Sequence, residues 1–140
     1  VLNTLFNIDK SMVEVRLRVR CHPTESREKV ARAVLNIFPD AEFSGDDPIV
    51  AVSHSLECFG EALRRQKIRD AARRVLRRGI RGQQTVFRLN KQVAAVGKVS
   101  FAEEEHPLGD IEVEIVSEDI ERTIDSIAPS TRSEGSTRSE

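Results

Sequence analysis

Residues 13–20 alternate without a break: Val13, Val15, Leu17 and Val19 on one side, Glu14, Arg16, Arg18 and Arg20 on the other. Successive side chains of a strand point to opposite faces, so this segment is a strand with one buried and one solvated face. Residues 111–115 repeat the pattern, with Ile111, Val113 and Ile115 set against Glu112 and Glu114. Strands charged along one side cannot sit in a sheet covered by helices on both faces. They call for helices on a single face, which is an α+β two-layer sandwich with a mostly antiparallel sheet.

The helices of that layer follow from their apolar spacing. His22-Pro23-Thr24-Glu25 ends the first strand and starts a helix, with Thr24 as N-cap and Glu25 in the first turn, where the helix dipole favours an acid. Val30, Ala33, Val34, Ile37 and Phe38 form its stripe, and Pro39-Asp40 stops it. A short strand at 41–44, a turn at Gly45-Asp46-Asp47-Pro48 and a buried strand at 49–53 come next. Ser55 is placed to cap a helix whose inner face reads Leu56, Phe59, Gly60 and Leu63. The register slips at Gln66-Lys67 and a new stripe begins: Ile68, Ala71, Ala72, Val75, Leu76. That is two helices, or one with a break, closed by Gly79 as C-terminal cap. Beyond Gly82 the pattern gives a strand at 84–89, a helical turn at 90–96, a strand at 97–101 and an acidic loop at 103–109. A last strand at 111–115 leads to a helix capped by Ser117, carried by Ile120, Ile124 and Ile127, and stopped by Pro129. The predicted order is β-α-β-β-α-α-β-turn-β-β-α.

One domain, 12–129, fits a chain of 140 residues. Residues 1–11 are set apart as an N-terminal extension, native or appended, and 130–140, which repeats Thr-Arg-Ser-Glu, as a disordered polar tail. Two cysteines do not make a disulfide framework, and no apolar run is long enough to span a bilayer. The expected setting is cytoplasmic.

Charge is distributed very unevenly along this chain. Residues 64–101 hold twelve bases and one acid, residues 1–63 seven and ten, residues 102–140 three and twelve. The three net charges, +11, −3 and −9, leave a total of −1 that conceals the polarity. Arg outnumbers Lys by 17 to 5, a bias that suits bidentate recognition of phosphate or carboxylate. On the helix after Gln66, Arg69, Arg73 and Arg77 form one i, i+4, i+8 ridge outside the apolar stripe; Arg74 and Arg78 lie on the adjoining row. Like charges at that spacing repel, so anions are needed to offset them. They are either phosphates of a polyanion or the acids of the protein's own C-terminal third.

The first alternative makes the chain a non-enzymatic RNA-binding domain. Its phosphate contacts would be Arg69, Arg73, Arg74, Arg77, Arg78 and Arg81, with Arg88, Lys91 and Lys98 extending the patch. With no Trp or Tyr to stack bases, recognition would rest on backbone and shape. The second makes it an interaction or scaffold protein, a homodimer whose basic helix meets acidic surface of itself or of a partner. Arg16 and Arg18 complement Glu112 and Glu114 on the solvated sides of their strands. On this reading of the ridge, reversing Arg73 and Arg77 to Glu is expected to leave the fold nearly intact.

Other chemistry has little support. Cys21, His22, His54 and Cys58 match no zinc spacing. Antiparallel strands would hold Cys21-His22 and His54 about 26 Å apart, at about 3.3 Å per residue. Glu103, Glu104, Glu105 and His106 read as a solvated loop rather than an acid–base pair. Arg-Gly-Ile-Arg-Gly at 78–82 is a helix end and turn; no phosphate loop, activated nucleophile or cofactor fingerprint occurs. No catalytic residue, metal, cofactor, membrane or small-molecule substrate is expected.

Several blocks taken in order carry a family likeness. They are Pro23-Thr24-Glu25, Ile37-Phe38-Pro39-Asp40, Leu63-Arg64-Arg65-Gln66, Ile68-Arg69-Asp70, Arg78-Gly79-Ile80, Leu89-Asn90-Lys91-Gln92 and Leu108-Gly109-Asp110-Ile111. Over about 13–129 the chain resembles the archaeal uncharacterised protein family 0201, also classed as an RNA-binding family. The resemblance implies a fold like that of large-subunit ribosomal protein five, implies RNA binding and admits a dimer. It supplies no catalytic residues. The chain departs from the family pattern at Asp70-Ala71-Ala72-Arg73, where Asp-Thr-Ala-Arg is expected, and at His22, where Asn is expected.

Overall fold

A computed structural model of the chain describes residues 13–45, 48–102 and 109–130. The strands are β1 (Glu14–Val19), β2 (Glu42–Ser44), β3 (Ile49–Ser53), β4 (Ile80–Arg81), β5 (Gln84–Leu89) and β6 (Ile111–Val116). The helices are α1 (Arg27–Ile37), α2 (Glu57–Arg65), α3 (Arg69–Arg78), α4 (Lys91–Ala94) and α5 (Ile120–Ile127). All six strands join one antiparallel sheet in the order β2-β3-β1-β6-β5-β4. The alternation read from 13–20 and 111–115 is the one observed. Val15, Leu17, Val19, Val113 and Ile115 are buried beneath the helices, and Arg16, Arg18 and Glu112 stand on the open face. Arg16 lies opposite Glu114 and Arg18 opposite Glu112. No described helix is long and apolar enough to cross a membrane.

Several elements differ from the sequence expectation. The first helix is capped by Ser26, whose side chain accepts from the Lys29 amide, not by Thr24. Glu25 is thereby released from the helix for another role. Ser55 accepts from the Glu57 amide, but the residue at the cap itself is Leu56. Asp119 caps α5, while Ser117 bonds the Thr123 hydroxyl. In α3 Ala72 and Leu76 are buried, whereas Ala71 is exposed. The slip after Leu63 is a true break, made by one left-handed residue, Lys67, at φ 59°.

Residues 97–101 do not form a strand. Only an isolated bridge joins Phe101 to Leu89, held by the Asn90 amide on the Ser100 carbonyl at 2.8 Å and the Ala102 amide on the Arg88 carbonyl at 3.0 Å, because β5 ends at Leu89 and the chain turns into α4. The Gln66 amide donates to the Val99 carbonyl at 2.9 Å and accepts from the Val99 N–H at 2.8 Å. In the other direction, Ile80–Arg81 is a short strand the sequence reading passed over, turned back on Gln84 and Thr85 through Gly82 at φ 64°.

Gly79 ends α3 at φ −86°, an ordinary right-handed value, so conformational freedom is not why a glycine stands there. A Cβ at this position would lie 2.2 Å from the Val86 carbonyl oxygen. The helix end presses directly on β5, where the Thr85 hydroxyl also donates to the Leu76 carbonyl. Gly79→Ala is expected to cost about 1–3 kcal/mol, the usual penalty of overpacking, as a lower urea midpoint at unchanged slope. Gly82→Ala meets no atom within 4 Å and is strained only by its φ, so it provides the milder control.

Candidate nucleic-acid interface

The five arginines of α3 divide into two rows with different fates. Ile120, Ile124 and Ile127 bury one side of α5, and the same helix turns Glu121 and Asp125, four residues apart, toward α3. Arg73 donates to Asp125 and to the Ala128 carbonyl at 3.1 Å; Arg77 donates to Glu121. The ridge therefore spends two of its members holding the last helix of its own chain. This corrects the expectation that Arg73 and Arg77 stand clear of the fold. The signal was in the sequence: an i, i+4 acid pair flanking one helix stripe matches an i, i+4 basic pair flanking another.

The adjoining row is open. Arg74 and Arg78 are exposed and carry no carboxylate partner among the described residues. Arg81, on the hairpin that follows, folds back so that its guanidinium reaches the Ile80 carbonyl at 2.8 Å and the Arg78 carbonyl at 3.4 Å. Helix, turn and β4 thus present Arg74, Arg78 and Arg81 as one continuous cationic edge. Arg78 also sits in the last turn, where a cation complements the helix dipole, so part of its presence is local stabilisation. Arg69 lies apart, half-buried in a cleft with Arg64, Glu57 and Glu61 between α2 and α5. Lys98 is exposed beyond α4.

Two members of the expected patch are elsewhere. Arg88, on β5, lies 3.8 Å from the buried Asp110. Lys91 is only 4% exposed, too deep to meet a polyanion. Its ammonium donates to the Arg20 carbonyl and to Glu25, each at 2.9 Å. The sheet register explains the meeting: Val19, Ile111 and Leu89 stand side by side, so the segments that follow β1 and β5 and precede β6 converge at one sheet end. Burial works against the ionised form of Glu25. The His22 amide at 2.9 Å and the Lys91 ammonium outweigh it, and hold the carboxyl below its ordinary value. Asp40 makes a comparable tie elsewhere. Burial opposes its charge, and the Ser53 hydroxyl and the His54 amide at 2.9 Å overcome it, again holding the carboxyl low. Sequence reading missed both ties. It had Glu25 in a helix turn and Asp40 as a stop signal.

The strand register sets Val15 against Ser53 and Val19 against Ile49, which puts Cys21-His22 and His54 at opposite ends of β1 and β3. Cys58 is half-buried, its thiol 3.4 Å from the Asn36 carbonyl. The run Glu103, Glu104, Glu105, His106 lies outside the described residues.

A family model described as RNA binding matches residues 14–117, from the first strand to the end of the last. A UPF0201 protein of Methanothermobacter thermautotrophicus is 42% identical over 126 residues, 87% of this chain and 92% of its own length. The chain belongs to this family, UPF0201. A second relative, a UPF0200/UPF0201 protein of Archaeoglobus fulgidus, is 40% identical over 124 residues. That match takes in 86% of this chain but only 38% of the longer relative. Among solved structures, the UPF0201 protein of Methanococcus jannaschii superposes with a TM-score of 0.78 at 40% identity, over 84% of this chain and 93% of that one. The α+β architecture is therefore that of known UPF0201 structures. The family name carries no specific function, and these matches do not address the likeness to ribosomal protein five.

Proposed function

We propose that this chain is a non-enzymatic, cytoplasmic RNA-binding domain that grips the phosphate backbone of a structured RNA with Arg74, Arg78 and Arg81. The open cationic edge carries the reading, because Arg74 and Arg78 have no carboxylate partner among the described residues and Arg81 meets only backbone carbonyls, so their charges are available to an external anion. The family description points the same way. Backbone contact rather than base stacking follows from the aromatics. Phe38, Phe59, Phe87 and Phe101 pack on one another in the core, and Phe43 packs against it, so no described phenylalanine offers a platform for an unstacked base.

The scaffold reading has its own observation, in that two of the five arginines of the basic helix are neutralised by acids. Those acids belong to the same chain, so they explain Arg73 and Arg77 without a second molecule. Arg74, Arg78 and Arg81 are left unexplained by it. The test is a titration with a structured RNA over a series of salt concentrations. Three phosphate contacts give a slope of log affinity against log salt of about −2 to −3, from about −0.7 per contact on single strands to about −0.9 on duplex. A flat salt dependence, or no binding at low salt, removes the proposal.

A further inference from the structure

The face of the sheet away from the helices has no covering layer among the described residues, and its chemistry is arranged in columns. β1 presents Arg16 and Arg18; its neighbour β6 presents Glu112 and Glu114. Outside them β3 presents Val50 and Val52, and β5 presents Val86 and Arg88. Val50 is 37% and Val86 44% exposed, and a shallow trough of about 300 Å³ lies between them over the charged columns. Reading across the register gives two rows: Val52-Arg16-Glu114-Val86 and Val50-Arg18-Glu112-Arg88.

The strand order β2-β3-β1-β6-β5-β4 places the seam between β1 and β6 at its centre. A two-fold axis laid along that seam, in the plane just above the face, exchanges β1 with β6 and β3 with β5. It keeps each row in register with itself. The basic column of one copy then falls on the acidic column of the other, Arg16 over Glu114 and Arg18 over Glu112, four opposed charge pairs in all. Val52 falls on Val86 twice at the flanks. A two-fold interface must be self-complementary in this way, residue i meeting j while j meets i. Two sheets can pack face to face about 10 Å apart.

From this arrangement we propose that the open sheet face is the interface of a homodimer, a second copy of this chain docking face to face about the β1–β6 seam. A polyanion is the wrong occupant for this face, since Glu14, Glu112 and Glu114 are interleaved with its arginines and Arg16 already bonds Glu14 at 2.6 Å and Glu114 at 3.3 Å. Arg74 and Arg78 lie on the opposite, helical layer, and Arg81, on the edge strand β4, stands outside the columns that pair. It does not depend on the RNA reading.

The experiment is sedimentation of the full chain with two charge-reversed variants. One carries Arg16→Glu and Arg18→Glu, the other Glu112→Arg and Glu114→Arg. The expected result is a dimer for the unchanged protein at tens of micromolar, a monomer for each variant alone, and a heterodimer when the two are mixed in equal amounts. Mixing restores every cross-copy pair, so rescue separates a lost interface from a lost fold. Should either reversal fail to fold, Val86→Asp, at an exposed site, is expected to give a folded monomer. A monomeric unchanged protein overturns the proposal, and so does a dimer that survives the reversals or Val86→Asp. A monomer whose RNA affinity falls when Arg16 and Arg18 are reversed assigns the face to nucleic acid and overturns it too.

Discussion

Replacing Lys91 with Met is expected to cost about 3 kcal/mol, the low end for breaking a buried ion pair by removing one partner. The melting temperature should fall by on the order of 10 °C for a domain of this size. Lys91 is buried and donates hydrogen bonds to the Arg20 carbonyl and to Glu25. Without its ammonium, the Arg20 carbonyl loses a donor and Glu25 keeps, among the described residues, the His22 amide. The loss stays at the low end because the Glu25 side chain is 17% exposed and water can reach it. RNA affinity measured below the new melting temperature should not change, since Lys91 is no part of the cationic edge. If the protein melts as before and loses RNA affinity instead, Lys91 is a surface contact and the placement of this sheet end is wrong.

Glu25 and, at the other end of the sheet, Asp40 set the acid limb of stability. The folded-state value of Glu25 is depressed from 4.5, and that of Asp40 from 3.8. A carboxyl with a depressed folded value stabilises the native state above its unfolded value and loses that contribution as pH falls through the folded one. Stability should therefore hold from neutrality down to about pH 4.5 and decline below it. Glu25→Gln should start from a lower plateau and decline less steeply, which urea titrations at several pH values will show.

How much of this was legible follows from the range of the interactions concerned. The two-layer plan was, because β1 and β6 write the alternation of their faces directly into 13–19 and 111–116. So was the break after Leu63, since a helix cannot shift its apolar stripe without ending. The Arg16–Glu114 opposition needed only the guess that two amphipathic strands were neighbours. What escaped were ties in which a polar side chain acts on backbone far along the chain. Gln66 and Val99 are 33 residues apart, and Lys91 and Glu25 are 66 apart. Neither leaves a local pattern, and each changes the reading of its segment. Gln66 tethers a segment expected as a strand, and Glu25 draws a presumed surface lysine into the core. The blocks behind the family resemblance contain these very residues: Glu25, Asp40, Gln66, Gly79, Lys91 and Asp110. Most of that likeness therefore marks how the fold is fastened.

The two arginine rows of α3 should separate in a pair of double reversals. Arg74→Glu with Arg78→Glu changes two exposed side chains without a carboxylate partner among the described residues, so the melting temperature should fall only slightly: surface substitutions typically alter stability by less than about 0.5 kcal/mol, and an acid in the last turn of the helix adds about 0.3 to 1 kcal/mol. RNA binding should collapse, because two attractive phosphate contacts become repulsive. Losing them should also take about 1.5 to 2 off the salt slope. Arg73→Glu with Arg77→Glu acts the other way. It sets two new carboxylates against Asp125 and Glu121 and strips the Ala128 carbonyl of its donor, loosening α5 from α3. Each lost pair is partly solvated and worth at most about 1 kcal/mol, and repulsion adds a similar amount. A loss of about 2 kcal/mol is therefore expected, with only a modest drop in RNA affinity through the altered field. Adding Glu121→Arg and Asp125→Arg to that second variant should restore the melting temperature. It should do nothing for Arg74→Glu with Arg78→Glu. If both double reversals melt normally and bind RNA normally, α3 is a solvated face and the cationic edge is not a binding site.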